Sequence, residues 1–186
     1  GKVVHHNIAK SVIRSNYRMT YDEVNAIFAG DPDMAAKYSD IMPMLGEMRR
    51  LKDILKAKRQ RRGAIDFDLP EADIHLDGNG RAVGVSLHIR GEANMMIEEF
   101  MLAANETVAR EGVDKGLPLM YRVHEAPDPE RIKELNTFLH TLGYGVGNAE
   151  KVQPADVRKM LLKAAGSSEE RVINNVSLRA MTKAKY

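Results

Sequence analysis

Asp66 and Asp68 stand two residues apart with Glu71 three beyond, a spacing at which carboxylates on an extended strand can share a divalent cation. A D-x-D pair is also common on exposed strands, so it is weak ground for a metal site by itself. His124 beside Glu125 joins an imidazole to a carboxylate, the pairing that general acid-base work uses. The sequence places no nucleophile or third partner with them, and Arg122 and His124 read better as hydrogen-bonding residues at a strand end. Tyr21 falls in the first turn of a helix, where a tyrosine commonly buries half its ring and keeps its hydroxyl wet. Asn94, Glu98 and Asn105 lie within roughly 40° of one another on a helical wheel, at the border of an apolar stripe. Three polar groups there can either reach a cleft or bond nearby backbone.

A second kind of chemistry is electrostatic. From Arg49 to Arg62 the chain carries eight basic residues against one acid, a local +7; with a net charge of +2 overall, the remainder carries −5. Attraction for polyanions is therefore concentrated in one stretch, which lacks the alternating signs of a merely solvated helix. Aromatic residues are 5% of the chain and tryptophan is absent, so any base stacking falls to individual Phe or Tyr side chains. Gly143 to Gly147 reads G-Y-G-V-G without the lysine and hydroxyl residue of a P-loop, and is taken as a helix stop.

The elements that must position these groups follow from periodicity. Of 186 residues, 44% are hydrophobic and 29% charged, enough for one domain with a real core. Cysteine is absent, which excludes disulfides, thiolate metal sites and a cysteine nucleophile, and fits a cytoplasmic protein. No apolar run approaches the ~18 residues of a membrane span, and the N-terminus lacks the regions of a signal peptide. Val3 to Ser15 alternates loosely and predicts a strand of a sheet that starts upstream. Thr20 with Glu23 predicts a capping box for a helix through Phe28. Asp33 to Arg62 predicts a long helical segment, broken or kinked near Pro43.

Gly63 to Ile89 changes to a period of two with a turn at Asp77 to Gly80, which predicts a β-hairpin. Asn94 to Ala109 predicts a central helix with Met96, Ile97, Phe100, Met101, Ala104 and Val108 as its core stripe. Leu119 to Val123 reads as a buried strand. Helices are expected at Pro129 to Leu142, Pro154 to Ala165 and Ser168 to Lys185. The fold class is α+β, with helices packed on a mixed and partly incomplete sheet.

Five ordered blocks carry a resemblance. S-V-I-R-S and M-T-Y-D-E-V at 11 to 24, R-R-G-A-I-D-F-D-L-P-E at 61 to 71, I-E-E-F-M-L-A-A-N-E-T-V-A at 97 to 109, M-Y-R-V-H-E-A-P at 120 to 127 and L-R-A-M-T-K-A-K-Y at 178 to 186 resemble the ribonuclease II and ribonuclease R family. The wording F-D-L-P-E is closer to ribonuclease R. The resemblance implies that residues 1–186 are the central to C-terminal part of an RNB catalytic domain. It also implies a processive 3′-to-5′ exoribonuclease on single-stranded RNA that releases nucleoside 5′-monophosphates with Mg²⁺. The family's aspartate cluster would precede this segment and its arginine block would follow it, so no catalytic residue and no metal ligand is assigned here.

The residues that the resemblance assigns to RNA are Tyr21 and Glu98 at the ribose end, Phe67 stacking on bases, Asn105, and Arg59, Arg61 and Arg62 on phosphates. Single-stranded RNA is the implied partner, with the ribosome or RNA-decay machinery as further ones. Three rival readings stand beside it: a non-catalytic RNA-binding or ribosome-associated module, a self-contained metal phosphoesterase on Asp66, Asp68 and Glu71, and a helical partner-binding domain.

Overall fold

The computed structural model describes residues 2–65, 67, 72–87 and 90–186. In it the expected capping box forms. The Glu23 N–H donates to Thr20 Oγ1 at 3.3 Å and the Thr20 N–H to Glu23 Oε2 at 2.9 Å, starting helix α1 (Tyr21–Ala29). Gly30 ends it in the left-handed region at φ 93°. Asp31 accepts from the N–H groups of Asp33 and Met34 and starts α2 (Pro32–Lys37). A 3-10 turn, Ser39–Ile41, then leads into α3 (Met42–Arg61). The long helical segment thus breaks just before Pro43, because proline has no N–H to give and sits comfortably only in a first turn.

Two compact units result, Gly1–Lys58 with Ile89–Leu119, and Arg59–His88 with Met120–Tyr186. In the first, Val24 and Ile27 of α1, Tyr38, Leu45 of α3, and Ala93 and Met96 of α4 (Glu92–Asp114) form the core. α1 packs on both α4 and α2. The predicted stripe of α4 is only partly buried: Met96 is covered and Ile97 and Phe100 are half-buried, but Met101, Ala104 and Val108 are exposed. Apolar spacing marks a face that can be buried, and helical neighbours cover only the first half of this one.

Glu23 does more than cap. Its carboxylate also accepts from Lys37 Nζ and from the Tyr38 hydroxyl, each at 2.7 Å. The Lys37 ammonium first, then the Thr20 N–H and the Tyr38 hydroxyl, lower its pKa from the ordinary 4.5 to about 2. A folded-state pKa below the unfolded one contributes stability above pH ~4.5 that is lost as pH falls toward about 2. Urea midpoints followed by circular dichroism should therefore fall through this window, and less steeply for Glu23→Gln. An equal slope in the variant would remove Glu23 as the source.

In the second unit α5 (Pro129–Thr141), α6 (Pro154–Ala164) and α7 (Glu170–Ala180) bury Ile132, Leu135, Leu139, Val157, Met160 and Ile173 among them. Full burial of each large aliphatic contributes about 1.5–3 kcal/mol, so these helices stabilise one another. The hairpin forms as an antiparallel pair, β1 (Ala72–Leu76) and β2 (Ala82–Leu87). Its turn is closed by Asp77 Oδ1, which accepts from the N–H groups of Asn79 and Arg81 at 2.8 and 2.9 Å. Ile74 pairs with Val85, and with Val83 and Leu87 they form one apolar face, all exposed.

The class is α+β as expected, but among the described residues the sheet is this hairpin alone, and helices pack on helices instead of on it. Two expected strands are absent. Residues 3–15 are exposed and without regular structure, and residues 119–123 form only an isolated bridge, Val123 to Lys185. β-branched alternation yields a strand only where a pairing edge meets it, and among the described residues none does for 3–15.

Candidate nucleic-acid interface

Tyr21 occupies the first position of α1 and is 48% exposed. One turn further on, Asn25 ties this helix to the start of α4. Its Oδ1 accepts from the Ala93 N–H at 2.8 Å and its Nδ2 approaches Asn94 Oδ1 at 3.5 Å, while Asn94 Oδ1 also accepts from the Gly91 N–H at 3.2 Å. A Cβ at position 91 would stand 2.2 Å from Asn25 Nδ2, so a larger residue there would push the Asn25 amide off these bonds. Glu98 lies one turn beyond Asn94 on α4, and its carboxylate forms an ion pair with Arg90. Asn105, nearly two turns beyond Glu98, is exposed.

The three polar residues of the α4 border therefore have separate fates. Asn94 is consumed in holding the helix start, which the sequence did not single out. Glu98 presents a half-exposed carboxylate ordered by a cation, and Asn105 faces solvent. Helical spacing puts Tyr21 on the Asn25 side of α1 and Glu98 on the Asn94 side of α4. Each is one turn from the locked contact. Neighbouring Glu99 is the buried acid of the pair and has a partner of its own.

The basic stretch is corrected in its first half. Arg49 grips Glu92 with two bonds, Nε to Oε2 at 2.8 Å and Nη2 to Oε1 at 2.5 Å, and lies 4.9 Å from the Phe28 ring centroid. Lys52, buried, adds 3.0 Å to Glu92 Oε2 and 2.9 Å to Asp53. Arg49 foremost, then Lys52, hold the Glu92 carboxyl below the usual range. Lys56 turns its ammonium to Met95 Sδ at 3.6 Å. These cations point at α4 and serve the core. The i,i+3 spacing of Arg49 and Lys52 was the available signal, since it sets two charges on one helical face.

The remaining candidates belong to the second unit. Arg61 and Arg62 are exposed and Arg59 half-buried, with Arg59 and Arg62 already engaged by a partner. Phe67 is half-buried and belongs to no helix or strand. Asp66, Asp68 and Glu71 fall outside the described residues. Among the described residues, no group of three His, Asp or Glu side chains is placed to hold a metal ion. Near the C-terminus Glu125 pairs with Lys185 at 2.6 Å, and Arg122 donates to the Tyr186 hydroxyl at 2.6 Å. These contacts tie residues 122–125 to residues 185–186, as the structural reading of Arg122 expects, while His124 is exposed beside them.

Comparison with known proteins identifies the family. The family model described as the RNB domain matches residues 1–186. The chain is 40% identical over 186 residues to Ribonuclease R of Aquifex aeolicus, covering all of this chain and 26% of that protein. It is 38% identical over 187 residues to Ribonuclease R 1 of Lactococcus lactis, covering 100% of this chain and 23% of the relative. Among solved structures, Mycoplasma genitalium RNase R in complex with ribose methylated single-stranded RNA superposes with a TM-score of 0.74 at 24% identity. That match covers 88% of this chain and 26% of the other. The same enzyme in complex with double-stranded RNA gives 0.75 at 24% identity, over 88% of this chain and 29% of that one. These structural matches speak for the fold. The chain spans about a quarter of the length of the relatives it matches.

Proposed function

The chain belongs to the RNB domain family, and on that premise we propose that it forms the central to C-terminal part of the catalytic domain of a 3′-to-5′ exoribonuclease of ribonuclease R type. The proposed reaction is processive hydrolysis of single-stranded RNA to nucleoside 5′-monophosphates, in the cytoplasm, with the ribosome or RNA-decay machinery as further partners. The match of the family model along all 186 residues carries this reading. Among the described residues no helix is long and apolar enough to cross a membrane.

The described residues do not fit a Mg²⁺ centre, since they bring no three candidate ligands together. In this reading the metal-binding aspartates and the arginine block that the family resemblance implies belong to other parts of the domain, and this chain supplies the RNA channel. Glu98 accepts a hydrogen bond from a ribose 2′-hydroxyl, the group that separates RNA from DNA. Tyr21 packs its exposed ring beside the terminal nucleotides. Phe67 stacks on a base, a contact worth about 1–3 kcal/mol that tolerates any sequence. Asn105 offers an amide to the strand, and Arg59, Arg61 and Arg62 contribute salt-sensitive phosphate affinity.

The test is incubation of the 186-residue chain with 5′-labelled single-stranded RNA and Mg²⁺, with EDTA and a matched DNA as controls, beside a full-length protein carrying the segment. The full-length protein is expected to shorten RNA to mononucleotides while the 186-residue chain does not. Metal-dependent shortening by the chain alone would instead put the active site on Asp66, Asp68 and Glu71. A full-length protein that binds RNA without shortening it would make this a non-catalytic RNA-binding module.

A further inference from the structure

The G-Y-G-V-G loop stops α5 as expected at Gly143, but its second half faces a pocket that the P-loop comparison overlooked. Asn136 of α5 clamps the loop from behind. Its Oδ1 accepts from the Val146 N–H at 2.9 Å and its Nδ2 donates to the Gly147 carbonyl at 2.8 Å. Gly147 takes φ 82°, a left-handed conformation, and a Cβ there would meet nothing within 4 Å. Among the described residues the N–H groups of Gly145 and Gly147 have no hydrogen-bond acceptor. Gly145, Val146 and Gly147 line an open cavity of about 410 Å³, within the size range of small-molecule sites.

The opposite wall is α6. Lys159 and Lys163 stand one helical turn apart on it and both line the cavity, with Met160 as an apolar floor. Two like charges four residues apart repel, so the arrangement gains from an anion between them. Lys163 lies 5.7 Å from the Tyr144 ring centroid, and among the described residues Lys159 has no ion-pair partner. Asp156, the one acid in the lining, is occupied at the start of α6, where its Oδ2 accepts from the Gln153 N–H at 2.9 Å. Two lysines and two glycines with unpaired backbone N–H groups thus line one space, and together they offer the donor types that oxyanions take.

We propose that this cavity binds the phosphate group of a nucleotide, with Lys159 and Lys163 neutralising its charge and the Gly145 and Gly147 N–H groups bonding its oxygens. The choice of a nucleotide over other phosphate compounds rests on the ribonuclease reading, whereas the anion site itself does not. The phosphate can be that of a free 5′-mononucleotide or a phosphodiester of the RNA strand.

Amide resonances of the 186-residue chain would be followed by NMR at about 0.05 M salt, where screening is weak. Inorganic phosphate, uridine 5′-monophosphate and a short oligouridylate would each be titrated to about 10 mM, well into the range of a millimolar Kd. The Gly145 and Gly147 amides are expected to shift and saturate with both nucleotides. Tighter saturation by the monophosphate assigns the site to a free nucleotide, and tighter saturation by the oligomer to the strand. The K159Q/K163Q variant is expected to weaken this binding roughly tenfold or more, while K151Q, a lysine outside the pocket, leaves it unchanged. Unmoved glycine amides, or a double variant that binds as tightly as the parent, would overturn the site. Saturation by inorganic phosphate equal to that by both nucleotides would overturn the nucleotide assignment. None of these readouts depends on RNA being cleaved, so a failure of the exoribonuclease reading is seen separately.

Discussion

Glu98→Ala, introduced into a full-length protein carrying this segment, is expected to lower the preference for RNA over DNA by about tenfold to a hundredfold. A hydrogen bond to a charged acceptor is worth about 1.5–3 kcal/mol, and each 1.4 kcal/mol is a factor of ten. The 2′-hydroxyl donor exists only on RNA, so the loss should fall on RNA alone and leave the slower reaction on DNA unchanged. Folding should be little affected, because Glu98 and its partner Arg90 have side chains 40% and 46% exposed, and exposed pairs contribute about 0–1 kcal/mol. The measurement is the ratio of cleavage rates on matched RNA and DNA together with the thermal midpoint of each protein. A ratio unchanged from the parent would remove Glu98 from the ribose site, and a collapse of the midpoint would make it a structural residue.

Glu92→Gln should act in the opposite sense, costing stability by about 2–3 kcal/mol without touching nucleic acid. The larger figure of 3–5 kcal/mol for breaking a buried pair is discounted because the Glu92 side chain is 35% exposed. What remains is Lys52, with a side chain 7% exposed, losing one of its two counter-charges, and Arg49 losing the charged partner of its fork. Lys52→Met is the informative companion. It removes the buried charge along with the need to neutralise it, while Arg49 keeps Glu92, so it should cost under about 1 kcal/mol. Urea unfolding of the three proteins decides the matter. Equal losses for Glu92→Gln and Lys52→Met, or no loss for either, would mean that this cluster does not hold α3 to α4.

Legibility in the sequence followed the range of the interaction. The Thr20 and Glu23 box, the helix start at Pro129 and the Asp77 to Gly80 turn are satisfied within a few residues, and each was read at its place. Features that depend on a distant partner were not. Residues 3–15 look like a strand, yet no edge among the described residues pairs with them, and Lys52 looks like a surface cation until Glu92, 40 residues away, is brought to it. The candidate site divides along the same line. Periodicity set Glu98 at the border of the α4 stripe and the family resemblance pointed to Tyr21, but only the fold revealed that Asn94 is spent on Gly91 and Asn25, and that Arg49, Lys52 and Lys56 of α3 turn to α4. The lysines of α6 escaped notice because the usual phosphate motif keeps its cation beside the glycines, whereas here a separate helix supplies it.

The exposed hairpin has a consequence for handling the protein. A ribbon with Ile74, Val83, Val85 and Leu87 on one side and, among the described residues, an unpaired edge on each strand is sticky both by its face and by its rim, which favours contact between concentrated chains. Crowding in the tube then sets how much of the population is free to meet a ligand. A binding curve taken at high protein concentration will report competition between neighbours, and dilution becomes a variable to be titrated like salt or pH.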